Sequence, residues 1–386
     1  MAVNHSKARI ANIFFRLSVL ISITLVLAVL TFPDVLLNGI SSNLLFIGIM
    51  FLASMITALI SGSLAVVYKR GKNALKKRLI SLLIICVVLG AIFGGIHIHN
   101  ENSFYTMTVD GIERQYKVHL PAGYSETSQY PVLFVLHGGS GSANQIQRAG
   151  GFDRVADDNG FITVYPDGLG LTNYIFHVWN SGYLKTGLSD ANDTKFLYEL
   201  VFQVNATYSV NSSEIYLTGH SNGGMMAYRI AAEYPNLFAA VSPVSGSIGG
   251  KGCPDCVFYT IPEPKSGVSI IHVHGRQDKN VPYEGGYAQS GFQKDTRWDI
   301  SVNESVMWWV DKNNCDESPH ISKSTSEHIT LFEYTNGDNG SSVILVRIEE
   351  KDHMWHSMNT AVEEEKFYGD SLAEMIWNLM QNYAGI

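Results

Sequence analysis

Residues 214–234 read EIYLTGHSNGGMMAYRIAAEY, and this stretch decides the fold. Residues 215–217 form a short apolar run typical of a buried strand, and the residues from Met225 onward have the spacing of a helix. Between them, Gly219-His220-Ser221-Asn222-Gly223 fits the G-x-S-x-G pattern of a nucleophile elbow. We expect Ser221 to occupy a strained turn with positive φ, flanked by glycines because a Cβ there would collide with the neighbouring strand and helix.

The composition divides the chain into two parts. The 386 residues are 46% hydrophobic and only 16% charged, which is more apolar than a soluble enzyme of this length usually needs. Residues 1–98 carry a formal charge of +8 and residues 99–386 carry −16. Nucleic acid and anionic lipid both require a positive surface, so we expect neither as a ligand of the acidic part.

Three apolar stretches, at residues 11–32, 44–68 and 79–98, are each long enough to cross a membrane as a helix. We therefore predict a membrane region over residues 1–98, a linker at 99–104 and a globular domain at 105–386. The loop at 69–78 carries six Lys and Arg residues and the loop at 33–43 none, which predicts a cytoplasmic N-terminus and an extracytoplasmic domain. A signal peptide is the alternative interpretation of the first stretch, which Arg16 interrupts.

The globular part alternates between strand and helix patterns. Residues 105–109 and 115–120 alternate around Asp110-Gly111, which predicts an antiparallel hairpin at one edge. Continuous apolar runs at 131–136 and 268–273 are typical of strands buried on both faces. Residues 361–383 predict one closing helix with Glu363, Glu364 and Glu365 in its first turn. The pattern favours an α/β fold with a mostly parallel central sheet flanked by helices.

Acyl transfer requires backbone amides that face the developing oxyanion. The amide of Asn222 would begin the helix after Ser221 and could donate there. The glycine-rich turn after the strand at 131–136 should supply a second amide, from Gly139 or Ser140. We expect His137, at the start of that turn, to pin the loop through its ring nitrogens.

Ser221, Asp278 and His353 follow separate predicted strands in the Ser…Asp…His order of an α/β-hydrolase. Serine is inert at neutral pH, so a histidine must take its proton while a carboxylate orients the ring. His356 is the alternative base. The chain has no H-E-x-x-H or similar ligand spacing, so we expect neither a metal nor another cofactor.

A set of motifs resembles those of the polyhydroxybutyrate depolymerase and feruloyl esterase group of α/β-hydrolases, over residues 105–384. The motifs are His137-Gly138, Trp179-Asn180-Ser181-Gly182, Gly219-His220-Ser221-Asn222-Gly223-Gly224, His274-Gly275 with Asp278, Val281-Pro282-Tyr283, Gly285-Gly286, Asn314-Cys315, and His353 with Trp355. The resemblance implies the α/β-hydrolase fold, ester hydrolysis, and a triad of Ser221, Asp278 and His353. We further expect His220, Trp179, Asn180 and Trp355 to bind substrate, although Trp179 could instead cover the core.

The resemblance also implies that Cys315 pairs with Cys253 or Cys256; a C-x-x-C redox or zinc pair is the alternative. Where that group has glycines before its histidine, this chain has Glu350-Lys351-Asp352. The expected function is a membrane-anchored serine esterase acting on a small or polymeric ester of hydroxyalkanoate, feruloyl or acetyl type. A peptidase on the same fold and a catalytically inactive membrane receptor are the alternatives.

Overall fold

The computed structural model of the chain describes residues 104–170, 176–182 and 191–384. Residues from Phe104 onward belong to one compact unit. The three membrane segments predicted at 11–32, 44–68 and 79–98 lie outside the described residues, as does the predicted linker up to Ser103. Within the described ranges, no helix combines the length and the apolar composition that a membrane crossing requires.

Strands and helices follow one another along this unit. The strands are β1 (Tyr105–Val109), β2 (Ile112–His119), β3 (Tyr130–Leu136), β4 (Ile162–Pro166), β5 (Val210–His220), β6 (Ala240–Val244), β7 (Gly249–Lys251), β8 (Tyr259–Thr260), β9 (Ser269–Gly275), β10 (Gly286–Tyr287), β11 (Trp298–Asp299), β12 (His320–Lys323), β13 (Ile329–Tyr334) and β14 (Val343–Ile348). The helices are α1 (Ala143–Gly150), α2 (Phe152–Asn159), α3 (Asp193–Thr207), α4 (Asn222–Glu233), α5 (Val302–Lys312), α6 (Trp355–Glu365) and α7 (Leu372–Tyr383).

Among the described residues, ten strands form the main sheet in the order β1-β2-β4-β3-β5-β6-β9-β14-β13-β12. The strands from β4 to β14 in this order run parallel, and the strands outside them pair antiparallel. The predicted hairpin around Asp110-Gly111 is confirmed as β1 and β2. Because parallel strands end at the same edge, the loops that follow β3, β5, β9 and β14 meet there.

Two hydrophobic layers cover the two faces of this sheet. On one face Phe134 of β3 packs in a cluster with residues of α3, α4 and α5. On the other face Leu133 and Val135 pack with residues of α1, α2, α6 and α7. The run at 131–136 is apolar throughout because both faces of β3 are covered. This arrangement confirms an α/β-hydrolase-like fold with a mostly parallel sheet.

The predicted single C-terminal helix is wrong, because the chain forms α6 and α7 there. Lys366 adopts a left-handed conformation with φ 52° and ends α6, and the side chain of Ser371 caps α7 by accepting the amide of Glu374. Glu363, Glu364 and Glu365 therefore lie in the last turn of α6, where the helix dipole disfavours them, rather than in a first turn. The hydroxyl of Ser326 donates to Glu365 at this end.

A second sheet, in the order β10-β11-β7-β8, is antiparallel and lies in the chain segment between β6 and α5. Its strands are two or three residues long, too short for a periodic pattern to predict them.

Candidate active site

Ser221 connects β5 to α4 with φ 57° and ψ −118°, so the positive φ expected at the elbow is confirmed. Its amide donates to the carbonyl of Val244 at 2.8 Å, and its hydroxyl does not cap α4. A Cβ on Gly219 would lie 2.4 Å from the carbonyl oxygen of Gly223, and one on Gly223 would lie 2.5 Å from that of His137. Both glycines are therefore required for the close approach of β5, α4 and the end of β3.

His353 bridges Ser221 and Asp278, although the three residues follow different strands of the main sheet. Its Nε2 lies 2.9 Å from Ser221 Oγ, and its Nδ1 lies 2.6 Å from Asp278 Oδ2. The carboxylate can only accept, so the neutral ring carries its proton on Nδ1 and its Nε2 accepts the serine hydroxyl. This arrangement suits a general base that activates an alcohol.

Asp278 is buried, and its carboxylate is fully engaged. Its Oδ1 accepts the amides of Asn280 at 2.7 Å and Val281 at 2.9 Å. Burial on its own would raise the pKa of Asp278, but hydrogen bonds with His274 and His353 hold that pKa below its ordinary range. The group is therefore an anion at neutral pH, as the stabilisation of an imidazolium at His353 would require.

The loop that carries His353 is fixed by the backbone of its neighbours. The carbonyl of Lys351 accepts the amide of Gln277 at 2.9 Å, and a Cβ on Gly275 would lie 2.5 Å from that same oxygen. Glu350 has φ 56°, a left-handed conformation that glycine adopts more readily. The loop thus keeps a glycine-like turn where the sequence departs from the glycines of the resembling group.

His220 supports this loop as well. Its Nε2 donates to the carbonyl of His353 at 2.8 Å, and burial lowers its pKa to about 4, with the charge of His353 acting in the same direction. The neutral ring therefore holds the backbone of His353, a role different from the substrate contact expected for it.

The sequence leaves Gly139 and Ser140 as alternatives for the second oxyanion amide beside Asn222, and the structure separates these two. Ser140 has φ 63°, and its amide donates to the carbonyl of His177 at 2.8 Å. The expectation for Ser140 is therefore wrong, because its N–H is already donated to the carbonyl of His177. The amides of Asn222 and Gly139 have no acceptor among the described residues, and a Cβ on Gly139 would lie 3.5 Å from that of Asn222.

Trp179 is fully buried, so the expectation that it contacts substrate is wrong and the alternative, a cover over the core, is correct. Its amide donates to Asn222 Oδ1 at 2.7 Å, and Asn222 Nδ2 donates back to its carbonyl at 3.1 Å. The indole N–H donates to the carbonyl of His137 at 2.9 Å. Trp179 thus fastens the residue after Ser221 to the turn that carries Gly139.

Asn180 and Trp355 also make contacts within the protein. The amide of Asn180 donates to Asp193 Oδ2 at 2.7 Å, and its carbonyl accepts Arg229 Nη1 at 2.7 Å. Trp355 is 7% exposed, and its ring centroid lies 5.7 Å from that of Phe152. The ring is mostly buried against α2, and the substrate contact expected for Trp355 stays a prediction.

His137 pins the turn that follows β3, as predicted. Its Nδ1 donates to the carbonyl of Gly138 at 2.8 Å, and its Nε2 accepts the amide of Gly168 at 3.0 Å. Burial lowers its pKa to about 4 against the opposing charge of Asp167. His137, Asp167 and His177 offer ligand atoms within 4.8 Å of one another, but both ring nitrogens of His137 already bond to backbone, so the cluster suits hydrogen bonding rather than a cation.

The cysteines correct a further expectation. Cys253 and Cys256 form a disulfide, so Cys315 pairs with neither and is a buried thiol. Its sulfur lies in the main core, 3.8 Å from the carbonyl oxygen of Ser341, whereas the disulfide lies in the loop between β7 and β8.

Three buried residues near the site had no predicted role, although His274 belongs to one of the quoted motifs. Tyr228 Oη lies 2.7 Å from His272 Nδ1, His272 Nε2 lies 3.0 Å from His274 Nδ1, and His274 Nε2 lies 3.3 Å from Asp278 Oδ2. The two histidines occupy alternate positions of β9 and so face the same side of the sheet. That spacing within a buried strand was the available signal, because buried polar side chains require partners.

The chain is similar in sequence to known esterases. Residues 110–366 match the Esterase family model, described as "Putative esterase". The chain is 28% identical over 187 residues to the bifunctional acetylxylan esterase/xylanase XynS20E of Neocallimastix patriciarum, covering 48% of this chain and 24% of that protein. It is 26% identical over 212 residues to feruloyl esterase B of Piromyces equi, and the match covers 53% of this chain and 37% of that protein.

A third relative is the poly(3-hydroxyalkanoate) depolymerase C of Paucimonas lemoignei, 29% identical over 222 residues, with 53% of this chain and 50% of that protein covered. The chain thus spans half or less of the length of each of these three relatives.

Proposed function

Because this chain belongs to the esterase family, we propose that it hydrolyses carboxylic esters through an acyl-enzyme on Ser221. One observation carries the proposal. A strained serine, a histidine and a buried carboxylate are joined by hydrogen bonds of 2.9 Å and 2.6 Å. These are the distances that a nucleophile, its base and the group that orients the base require.

In the proposed reaction, His353 Nε2 takes the hydroxyl proton of Ser221 as Oγ attacks the carbonyl carbon of the ester. The oxygen of the tetrahedral intermediate accepts the amides of Asn222 and Gly139. His353 then gives the proton to the leaving alkoxide, the C–O bond breaks, and the alcohol departs. A water molecule, deprotonated by His353, attacks the acyl-enzyme, which releases the carboxylic acid and restores Ser221.

The decisive experiment compares wild type with Ser221→Ala on p-nitrophenyl butyrate. We expect the substitution to abolish turnover while the thermal unfolding temperature is retained. A fluorophosphonate probe should label wild type at Ser221 and leave the variant unlabelled. Full activity of Ser221→Ala, or a wild-type protein that neither turns over an ester nor reacts with the probe, would contradict the proposal.

For the substrate, we propose an ester of acetyl, feruloyl or hydroxyalkanoate type. The support comes from the names of the relatives, which include acetylxylan esterase, feruloyl esterase and poly(3-hydroxyalkanoate) depolymerase activities. A panel of acetyl, butyryl, feruloyl and hydroxybutyrate esters, measured as kcat/KM, would rank these classes. Turnover of peptide reporters alone would contradict an ester substrate.

We also propose that residues 1–98 anchor the chain in a membrane with the hydrolase domain outside the cytoplasm. The support is the charge of +8 on this part and its three apolar stretches. Alkaline carbonate extraction should leave the full chain in the membrane pellet. A membrane-impermeant fluorophosphonate should label Ser221 in intact cells. Release into the carbonate supernatant, or labelling only after lysis, would contradict anchoring or orientation, respectively.

A further inference from the structure

We propose that Tyr228, His272 and His274 form a relay of hydrogen bonds that positions the carboxylate of Asp278. In this relay His274 is a positioning residue, a second imidazole on the carboxylate oxygen that binds His353. The inference rests on the proposed function, because it assigns a role in the turnover of Ser221.

The acceptor at one end of the relay fixes the direction of its hydrogen bonds. His274 Nε2 lies 2.9 Å from the carbonyl of Val281 and 3.3 Å from Asp278 Oδ2, and both oxygens can only accept. A neutral imidazole has one donor and one acceptor. In its neutral form, His274 therefore carries its proton on Nε2 and accepts on Nδ1.

The same reasoning extends to the other two members. His272 Nε2 lies 3.0 Å from His274 Nδ1 and must donate to it. His272 Nδ1 then accepts the hydroxyl proton of Tyr228 at 2.7 Å. All three donors thus point toward Asp278. The reverse tautomer of His274 would set a lone pair against the carboxylate, and that of His272 would set its Nε2 lone pair against the lone pair of His274 Nδ1.

Packing holds the relay in this arrangement. Tyr228, His272 and His274 are fully buried, so water does not compete for their polar atoms. The ring of His272 stacks on that of Tyr228 at 5.6 Å and on that of His274 at 5.1 Å. Trp309 also stacks on Tyr228, with the ring centroids 6.1 Å apart. Burial lowers the pKa of His272 well below its ordinary value, which keeps this ring neutral.

The consequence concerns the orientation of Asp278. Its Oδ1 accepts two backbone amides. Among the described residues, its Oδ2 accepts His353 Nδ1–H at 2.6 Å and lies 3.3 Å from His274 Nε2, which shares its one proton between this oxygen and the carbonyl of Val281. Without the donor from His274, the carboxylate can rotate toward His353, and the imidazole loses its alignment with Ser221. Misalignment of a base lowers the rate of the chemical step and leaves substrate binding unchanged.

The experiment uses the full chain and four variants, with kcat and KM measured on p-nitrophenyl butyrate. His274→Leu removes the donor and should lower kcat by about 10- to 100-fold with KM unchanged. His274→Gln keeps an N–H near the Nε2 position and should recover most of the wild-type kcat. Tyr228→Phe removes only the hydroxyl that donates to His272 Nδ1, and should lower kcat less than His274→Leu does.

Tyr165→Phe is the matched control. Tyr165 is fully buried in β4 and donates to Asp153 at 2.6 Å, so this variant loses a comparable buried hydrogen bond outside the relay. It should lower the unfolding temperature and leave kcat unchanged. In proton NMR of the resting protein, the downfield resonance of the His353 Nδ1 proton should shift in Tyr228→Phe and stay in place in Tyr165→Phe.

The outcomes separate the two proposals. If wild type is active and Ser221→Ala is not, but Tyr228→Phe and His274→Leu lose only stability and leave the resonance unmoved, the relay has no positioning role. A kcat that is as low for His274→Gln as for His274→Leu would also overturn that role. If wild type turns over no ester, the proposed function fails. The relay can still be tested in that case, because the His353 Nδ1 resonance is measured on the resting protein, and a resonance unchanged by Tyr228→Phe would overturn the relay.

Discussion

The amide nitrogen of Ser140 lies 2.8 Å from the carbonyl oxygen of His177. This bond removes Ser140 from the candidate oxyanion donors and leaves Gly139 as the partner of Asn222. The segment that carries His177 and Trp179 therefore determines which amide of the turn faces a substrate. The turn and this segment operate as one unit, because Trp179 also bonds to the carbonyl of His137.

The role of Gly139 can be tested by removing its N–H. Gly139→Pro should lower kcat by about 10²- to 10³-fold with little change in KM, as loss of one oxyanion donor does. Gly139→Ala is the control, because it keeps the amide and its Cβ would meet Asn222 at an ordinary 3.5 Å. Steady-state kinetics of both variants checks the prediction, and equal losses of kcat in the two would contradict an amide contribution.

The choice of base can be tested with two histidines of the same loop region. His353→Ala should lower kcat by about 10⁴-fold or more. His356→Ala should keep near wild-type kcat, because its side chain is exposed at the start of α6. Burst kinetics with p-nitrophenyl acetate would measure both acylation and turnover. A large loss of kcat in His356→Ala, with none in His353→Ala, would identify His356 as the base instead of His353.

Gly182 approaches an aromatic ring so closely that no side chain fits there. It has φ +110°, and a Cβ on it would lie 2.1 Å from the ring of Tyr259. Gly111 has φ +78°, and a Cβ on it would meet no atom within 4 Å. Gly111→Ala is therefore the control that carries the strain of a positive φ without a steric clash. We expect Gly182→Ala to lower the free energy of unfolding by about 1–3 kcal/mol more than Gly111→Ala does. Urea denaturation of both variants measures this difference in unfolding free energy. When the two glycine substitutions are repeated in a Tyr259→Ala background, most of the difference should disappear.

His137 predicts that the protein loses stability in mild acid. Burial lowers its pKa to about 4 in the folded protein, below the value of about 6.5 expected when it is unfolded. The unfolded state therefore binds more protons between these values, and the stabilisation present above pH 6.5 is lost as the pH falls toward 4. His137 alone should account for about 2 kcal/mol lost by pH 5.

The measurement is urea denaturation at pH 7.5 and pH 5, with His137→Gln as the variant that cannot titrate. The difference in unfolding free energy between the two pH values should be smaller in His137→Gln. An equal difference in both proteins would show that His137 does not carry this pH dependence.

The sequence was sufficient where the signal is local. The run at 131–136 predicted a buried strand because both faces of β3 are covered, and the glycines around Ser221 predicted a strained turn because no side chain fits there. The separate positions of Ser221, Asp278 and His353 converge because parallel strands deliver their following loops to one edge.

It was insufficient where the outcome depends on contacts between distant segments. The direction of the Ser140 amide depends on the carbonyl of His177, and the burial of Trp179 depends on its fit beside Asn222. The disulfide is different, because Cys253 pairs with Cys256 only three residues away, although the resemblance implied a bond to Cys315. The break between α6 and α7 depends on the left-handed conformation of Lys366, a residue type that does not normally signal one.

Tyr228 lies on the same helix that begins after Ser221, so α4 and the side-chain bonds through His272, His274, Asp278 and His353 form a closed ring. A ring of this kind has no free end, so each member is held from two sides. Substitutions that keep all of these bonds must lie outside the ring. Met354, 60% exposed and directly after His353, is such a position, and mutational libraries aimed at new substrates should begin with it.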